Sequence, residues 1–185
     1  MKVINLIGPP CAGKSTTAAG VFYDMKRQGL RAELVTEFAK DVVWEGHFKM
    51  LEDQIYVFAE QHRRLNRLRD KVDYVVTDSS LLLSAIYKPE HYPRSFTGLV
   101  IDFFDSFNNE VYYLNPAWAY QPEGRMELEE DAVALGERIR AFLVAHCIEF
   151  TDIPAGVNHA QAVLEHVLRM QVRVPDVRSI REQSG

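Results

Sequence analysis

Residues 3–16 read VINLIGPPCAGKST, and the fold is decided by how this stretch is parsed. Residues 3–7 are an apolar run broken only by Asn5 and closed by Gly-Pro, the pattern of a buried strand. Residues 15–28 carry helix spacing and end at Gly29, where a C-terminal glycine belongs. Between the two, Gly8-x-x-x-x-Gly13-Lys14-Ser15 is a complete Walker A pattern in its proper strand-loop-helix setting. Its glycines allow backbone amides to turn inward, and with the positive end of the helix they make a nest for a β-phosphate. Lys14 brings a point charge to the β and γ oxygens, and the Ser15 hydroxyl is suited to Mg²⁺. Gly8, Pro9, Pro10, Cys11, Ala12, Gly13, Lys14, Ser15 and Thr16 are therefore the expected nucleotide-binding residues.

Working outward, strand and helix patterns alternate along the chain. Residues 32–36, 74–77, 111–114 and 148–151 read as strands. Leu51, Ile55, Phe58, Leu65 and Leu68 repeat at helical spacing and predict one long amphipathic helix from Leu51. Residues 99–107, 127–146 and 157–170 read as further helices, the last introduced by Pro154 and Gly156. This alternation implies an α/β fold, a parallel sheet covered on both faces with ligands at the carboxyl ends of its strands. Residues 1–170 form the expected P-loop domain, with a lid at about 115–127 and a polar tail at 171–185.

At 185 residues and 47% hydrophobic content the chain suits a single domain. A net charge of -5 argues against a surface made wholly for nucleic acid, leaving room for a local basic groove. The first residues, MKVINLIGPP, are too short for a signal core, and no stretch approaches the roughly 18 apolar residues of a membrane span. A cytoplasmic protein with no membrane partner is expected. Cys11 and Cys147 form no metal or redox pattern, and the histidines form no HExxH, so no bound zinc is expected.

Asp78 closes the strand at 74–77 in the manner of a Walker B carboxylate that helps to hold Mg²⁺, although an ordinary helix cap reads the same way. No Asn-Lys-x-Asp guanine motif occurs, and the chain is too short for the helical lid of a larger ATPase machine. A small kinase remains. Arg125 lies in the Pro/Gly-rich stretch PAWAYQPEGR, where a closing lid would bring it to the γ-phosphoryl oxygens. Glu37, just past the second strand in VTEFAKD, is at the end of the sheet that carries Ser15 and Asp78, and suits a base for an acceptor hydroxyl. Asp78 competes for that role.

The stretches GPPCAGKSTTA, LVTEFAKDVVW, EDQIYVFAEQHRRL, VVTDSSLL and YLNPAWAYQPEGR resemble, in that order, the phage-encoded P-loop kinases of a small AAA-like ATPase group that includes nicotinamide riboside kinase. The resemblance implies a three-layer α/β/α fold with strand order 2-3-1-4-5, ATP as donor and a lid containing Arg125. Some phage members phosphorylate 5-hydroxymethyluracil in DNA. Deoxynucleoside kinases are more distantly similar, with Glu37 and Gln54 matching their base and their nucleobase-binding Gln. They follow the third strand with an acid-Arg-Ser triplet, whereas this chain has Asp78-Ser79-Ser80.

The acceptor side is less determined. Gln54 suits a base edge, although a helix Gln is more often exposed. Phe38 and Trp44 suit base stacking, although such aromatics are more often buried in the core. Lys40, Arg64 and the basic run His62 to Lys71 suit a nucleic acid backbone or a solvated face. The leading expectation is transfer of the γ-phosphoryl of Mg-ATP to a nucleotide-type acceptor, with 5-hydroxymethyluracil in DNA favoured. A free nucleoside, nucleotide or riboside kinase and an ATP-gated binding protein are the alternatives.

Overall fold

The computed structural model describes residues 1–116 and 129–172. In chain order the elements are β1 (Lys2–Ile7), α1 (Lys14–Arg27), β2 (Ala32–Val35), α2 (Phe38–Trp44), a 3-10 helix (Phe48–Glu52), α3 (Gln54–Asn66), β3 (Tyr74–Thr77), α4 (Leu82–Tyr87), α5 (Arg94–Asp105), β4 (Asn108–Leu114), α6 (Glu129–Ala145), β5 (Thr151–Ile153) and α7 (His159–Val172). The strands form one sheet in the order β2-β3-β1-β4-β5. Every pairing is parallel, so the expected α/β fold and strand order are present.

Successive residues of a strand point to opposite faces, and β1 feeds cores on both sides of the sheet. Ile4 and Leu6 pack with Val21 and Met25 of α1 and with Val163 and Val167 of α7. Val3 faces the other way, into Phe58 and Leu65 of α3 and Val100 of α5. Ile7 shares that side with Leu82 of α4, Phe104 of α5 and Leu135, Ile139 and Leu143 of α6. The resulting three layers place α1 and α7 on one face and α3 to α6 on the other. Gly20 of α1 lets α7 come close, since an added Cβ would lie 2.8 Å from the Cβ of Ala160.

Several sequence expectations need correction. The long helix expected from Leu51 is broken: Leu51 sits in the 3-10 helix, and α3 starts at Gln54, where the Asp53 side chain caps it by accepting from the Tyr56 N–H at 3.2 Å. The buried stripe of α3 is Gln54, Val57, Phe58, Gln61 and Leu65, while Ile55 faces out. Two buried glutamines hid this face from a reading based on apolar spacing. Helix α5 begins at Arg94, just after Pro93, instead of at 99, because proline sets the dihedral that opens a helix. The fifth strand is shifted from 148–151 to Thr151–Ile153. Cys147 turns left-handed and the Ile148 N–H returns to the Leu143 carbonyl, so that segment completes the exit from α6. Helices α2 and α4 have no counterpart among the elements expected from the sequence; each is under eight residues, too short to display a clear period.

Residues 117–128 and 173–185, which include Arg125, most of the expected lid and nearly all of the expected tail, lie outside the described residues. Among the described residues no helix is long and apolar enough to cross a membrane. Neither Cys11 nor Cys147 is in a disulfide.

Candidate active site

The loop between β1 and α1 is built by two left-handed residues, Cys11 at φ 65° and Gly13 at φ 79°. Gly13 is also the N-cap of α1, and its carbonyl accepts the Thr17 N–H at 2.8 Å. A left-handed non-glycine residue costs roughly 1–2 kcal/mol, so Cys11 marks conformational strain in the phosphate nest. Lys14 folds back over the loop, its Nζ 3.0 Å from the Gly8 carbonyl oxygen and 2.9 Å from that of Pro9. Ser15 and Thr16 are exposed at the start of the helix. Helix α6 braces the loop from outside. Tyr113 Oη donates to the Gly136 carbonyl at 3.0 Å, and a Cβ on Gly136 would meet Pro9 at 3.2 Å.

Strand order sets which residues meet this loop. Thr77 of β3 is in register with Asn5 of β1 on one side and with Val35 of β2 on the other. Asp78 follows Thr77 directly, and Glu37 stands two residues beyond Val35. The carboxyl ends of β1, β3 and β2 therefore carry, side by side, the phosphate loop, Asp78 and Glu37. Asp78 is 4% exposed, and its Oδ1 is a buried side-chain oxygen with no hydrogen-bond partner. Such an atom costs stability unless a ligand meets it. Thr77 Oγ1 donates to the Ser79 carbonyl at 3.1 Å and accepts the Ser79 N–H at 3.2 Å, which stiffens the backbone around Asp78.

Glu37 is the N-cap residue of α2, yet its side chain makes no capping bond. The first amide of α2 is met from α3 instead. Gln61, only 3% exposed, accepts the Phe38 N–H on Oε1 at 2.9 Å and points Nε2 at the Thr36 carbonyl 3.4 Å away. Arg64, one turn further on, donates to the Thr36 carbonyl at 3.3 Å and to the Asp41 carboxylate at 2.5 Å, with its guanidinium 5.1 Å from the centre of the Phe38 ring. Gln61 was missed by the sequence reading. Its signal was a polar residue on the buried stripe of α3, visible only once that stripe is known.

The remaining candidates fall into different environments. Gln54 is 7% exposed, against the expectation of an exposed Gln, and its Nε2 donates to the Leu51 carbonyl at 2.7 Å. The amide thereby closes the turn between the 3-10 helix and α3. Trp44 is 74% exposed and is no part of the core, because the short α2 leaves its last residue beyond the covering layers. Phe38 is half-buried, edge-on to Tyr56 with ring centres 5.5 Å apart. Lys40 is exposed.

The basic end of α3 is not a uniform cationic face. Arg63 pairs with Glu60 at 2.8 Å, and Arg69 covers Phe107 at 4.3 Å while donating to the Ser106 carbonyl. His62 sits among Phe58, Phe103 and Phe107. Burial there, with Arg69 nearby, holds its pKa below the ordinary value.

The arrangement is suited to grip a polyphosphate at α1 and to present carboxylates beside it. Among solved structures the chain is similar to the deoxyadenosine kinase from M. mycoides with products dCMP and a flexible dCDP bound. The identity is 20% and the TM-score 0.61, over 94% of this chain and 100% of that one. It is also similar to a NadR protein in complex with NR, at 15% identity and a TM-score of 0.68, over 95% of this chain and 53% of that one. The same protein in complex with NAD and AMP-PNP gives 14% identity and a TM-score of 0.63, over 95% and 51%. At these identities the likeness concerns the fold. No curated protein matches the chain in sequence. The model of an AAA domain matches residues 3–160, a span that takes in the phosphate loop, Glu37 and Asp78, and the chain belongs to the AAA domain family.

Proposed function

We propose that the protein is a kinase that moves the γ-phosphoryl group of ATP to a hydroxyl of a nucleotide-type acceptor. The observation that carries this reading is the partnerless Oδ1 of buried Asp78, set by strand order between the phosphate loop and Glu37. Phosphoryl transfer to a hydroxyl calls for a base near the acceptor in addition to the metal-side carboxylate, and Glu37 is the candidate for that place. The NadR fold with AMP-PNP bound supports ATP as donor.

The loop amides and Lys14 bind the triphosphate and hold its γ-phosphorus toward β3. The donor set fits Mg²⁺, with the Ser15 hydroxyl on one side and the orphaned carboxylate oxygen of Asp78 on the other, either directly or through water. When bound, the ion neutralises charge on the β and γ oxygens. Glu37 takes the proton of the acceptor hydroxyl as its oxygen bonds to the γ-phosphorus. The bond from that phosphorus to the β–γ bridging oxygen breaks, and ADP leaves with the electron pair. Arg125, brought in from the lid, adds positive charge to the transferring group. Phe38, Lys40, Trp44, Gln54 and Arg64 flank the acceptor side.

Within this class we favour 5-hydroxymethyluracil in DNA, the acceptor suggested by the sequence resemblance. A base in a duplex would have to swing out of the stack to meet Glu37. The second reading is a free-nucleoside kinase, favoured by the full-length likeness to deoxyadenosine kinase. Against it stands Ser79-Ser80, both buried, where an Arg follows the acid in the deoxynucleoside kinases.

The test is incubation with γ-labelled ATP and separate pools of nucleosides, nucleotides, plain DNA and 5-hydroxymethyluracil DNA. Label in the last pool is expected. Label in nucleosides alone would transfer the assignment to the second reading. ATP hydrolysis with no labelled acceptor would leave a nucleotide-gated binding protein.

A further inference from the structure

We infer that Gln61 is a positioning residue for Glu37: from α3 it fixes the two peptide units that flank the base, and so sets the angle at which the carboxylate meets the acceptor. The inference rests on the proposed role of Glu37, and it concerns how that residue is held in place.

The first turn of a helix leaves amides without partners, and a Ser, Thr, Asp or Asn at the N-cap ordinarily satisfies one of them. Helix α2 has Glu37 at that place and no side-chain cap. Gln61 takes over from a neighbouring helix, accepting the Phe38 N–H at 2.9 Å. Its other amide atom faces the Thr36 carbonyl, at 3.4 Å. One side chain thus engages the peptide group on each side of Glu37, the residue between them.

Burial makes this arrangement more than decorative. Gln61 is 3% exposed, so little water stands ready to replace it, and the Phe38 amide would lose its partner with the side chain. Position i and position i+3 of a helix share a face, which is why Arg64 reaches the same loop. Arg64 also holds Thr36 at 3.3 Å and Asp41 at 2.5 Å. Arg64 thus shares the Thr36 carbonyl with Gln61 and adds a tie to Asp41 within α2, whereas Gln61 also holds the Phe38 amide on the other side of the base. Helix α3 is in turn seated by Phe58 and Leu65 in the core beneath β1 and β3, so the angle of Glu37 is referred to the sheet that also carries the phosphate loop. Transfer depends steeply on such placement, since an error of about 1 Å can cost on the order of 100-fold in rate.

The test is a double-mutant cycle of Gln61→Met and Glu37→Gln, read in whichever of the four acceptor pools the wild type labels from γ-labelled ATP. Gln61→Met is expected to lower kcat at least about tenfold with the KM for ATP within about twofold. In the Glu37→Gln background the same change should cost less than about twofold, because the group it positions is already disabled. Gln61→Glu keeps an acceptor for the Phe38 amide but sets a carboxylate oxygen against the Thr36 carbonyl in place of the amide donor, so its turnover should also fall below wild type, and by less in the Glu37→Gln background. Independently of any acceptor, exchange of the Phe38 amide proton should accelerate at least about tenfold in Gln61→Met.

An equal loss in both backgrounds, a kcat for Gln61→Met within twofold of wild type, or an unaccelerated Phe38 amide would overturn the inference. If Gln61→Met does not fold, Gln61→Glu is read in both backgrounds instead, and an equal loss in the two overturns the inference. The outcomes separate from those of the underlying reading: full turnover in Glu37→Gln removes the base assignment itself, whereas a slow Glu37→Gln beside an unaffected Gln61→Met removes only the role of Gln61.

Discussion

Gly8 and Leu114 meet backbone to backbone: a Cβ on Gly8 would lie 2.6 Å from the Leu114 carbonyl oxygen. The phosphate loop is thereby pressed onto the end of β4, and the neighbouring atom is main chain that cannot swing aside. Gly8→Ala should lose about 1–3 kcal/mol of stability and the rise in melting temperature that Mg-ATP produces. Thermal melting with and without nucleotide measures both, and a variant that melts and binds like wild type would show that the contact has slack.

Lys14 reaches back to the Gly8 and Pro9 carbonyls, a position from which a short swing carries its charge to bound phosphates. Lys14→Ala should fold normally and lose on the order of 100-fold or more in phosphoryl transfer, the usual scale for removing charge stabilisation from a reacting group. Steady-state turnover beside a circular dichroism spectrum tests this; retained transfer would remove Lys14 from the mechanism.

Asp78 carries a buried oxygen without a partner, an arrangement that sacrifices stability of the ligand-free chain for binding. Asp78→Asn should melt no lower than wild type in the absence of ligand, while the additional stabilisation from adding Mg²⁺ to ATP disappears. Melting curves with ATP alone and with Mg-ATP distinguish the two effects. An unaltered response to Mg²⁺ would mean that Asp78 is only structural.

Trp44, at 74% exposed, has little to lose on truncation. Trp44→Ala should change stability by no more than about 0.5 kcal/mol. If it stacks on an acceptor base, it should raise the acceptor KM by a factor equivalent to about 1–3 kcal/mol. An unchanged KM would leave Trp44 outside the acceptor site.

His62 titrates below the ordinary imidazole value of 6.5 because burial among aromatic rings, and then the charge of Arg69, disfavour its protonated form. The unfolded chain therefore takes up this proton first as pH falls. The stability that neutral His62 contributes is fully present above about pH 6.5 and is lost as the pH drops from there through the lower, folded-state pKa. His62→Phe should flatten that part of the curve. Melting temperatures of both proteins between about pH 7.5 and 5 provide the comparison, and parallel curves would assign the acid sensitivity to other groups.

The sequence by itself determined the phosphate loop and the α/β class. Both depend on local chemistry: glycines at fixed spacing, an apolar run before them, a helical period after them. It also located Glu37 and Asp78, since a carboxylate just past a strand falls at the carboxyl edge of a parallel sheet wherever that strand lies. What only the tertiary structure decided is how these residues are supported. Gln54 and Gln61 look like solvent-facing polar residues of an amphipathic helix, yet both are buried: Gln61 meets the backbone of the segment after β2, and Gln54 turns back onto the Leu51 carbonyl of the 3-10 helix. Trp44 looks like core and stands in solvent. Burial is a property of which elements cover a face, and that depends on contacts between residues far apart in the chain, which no local pattern records.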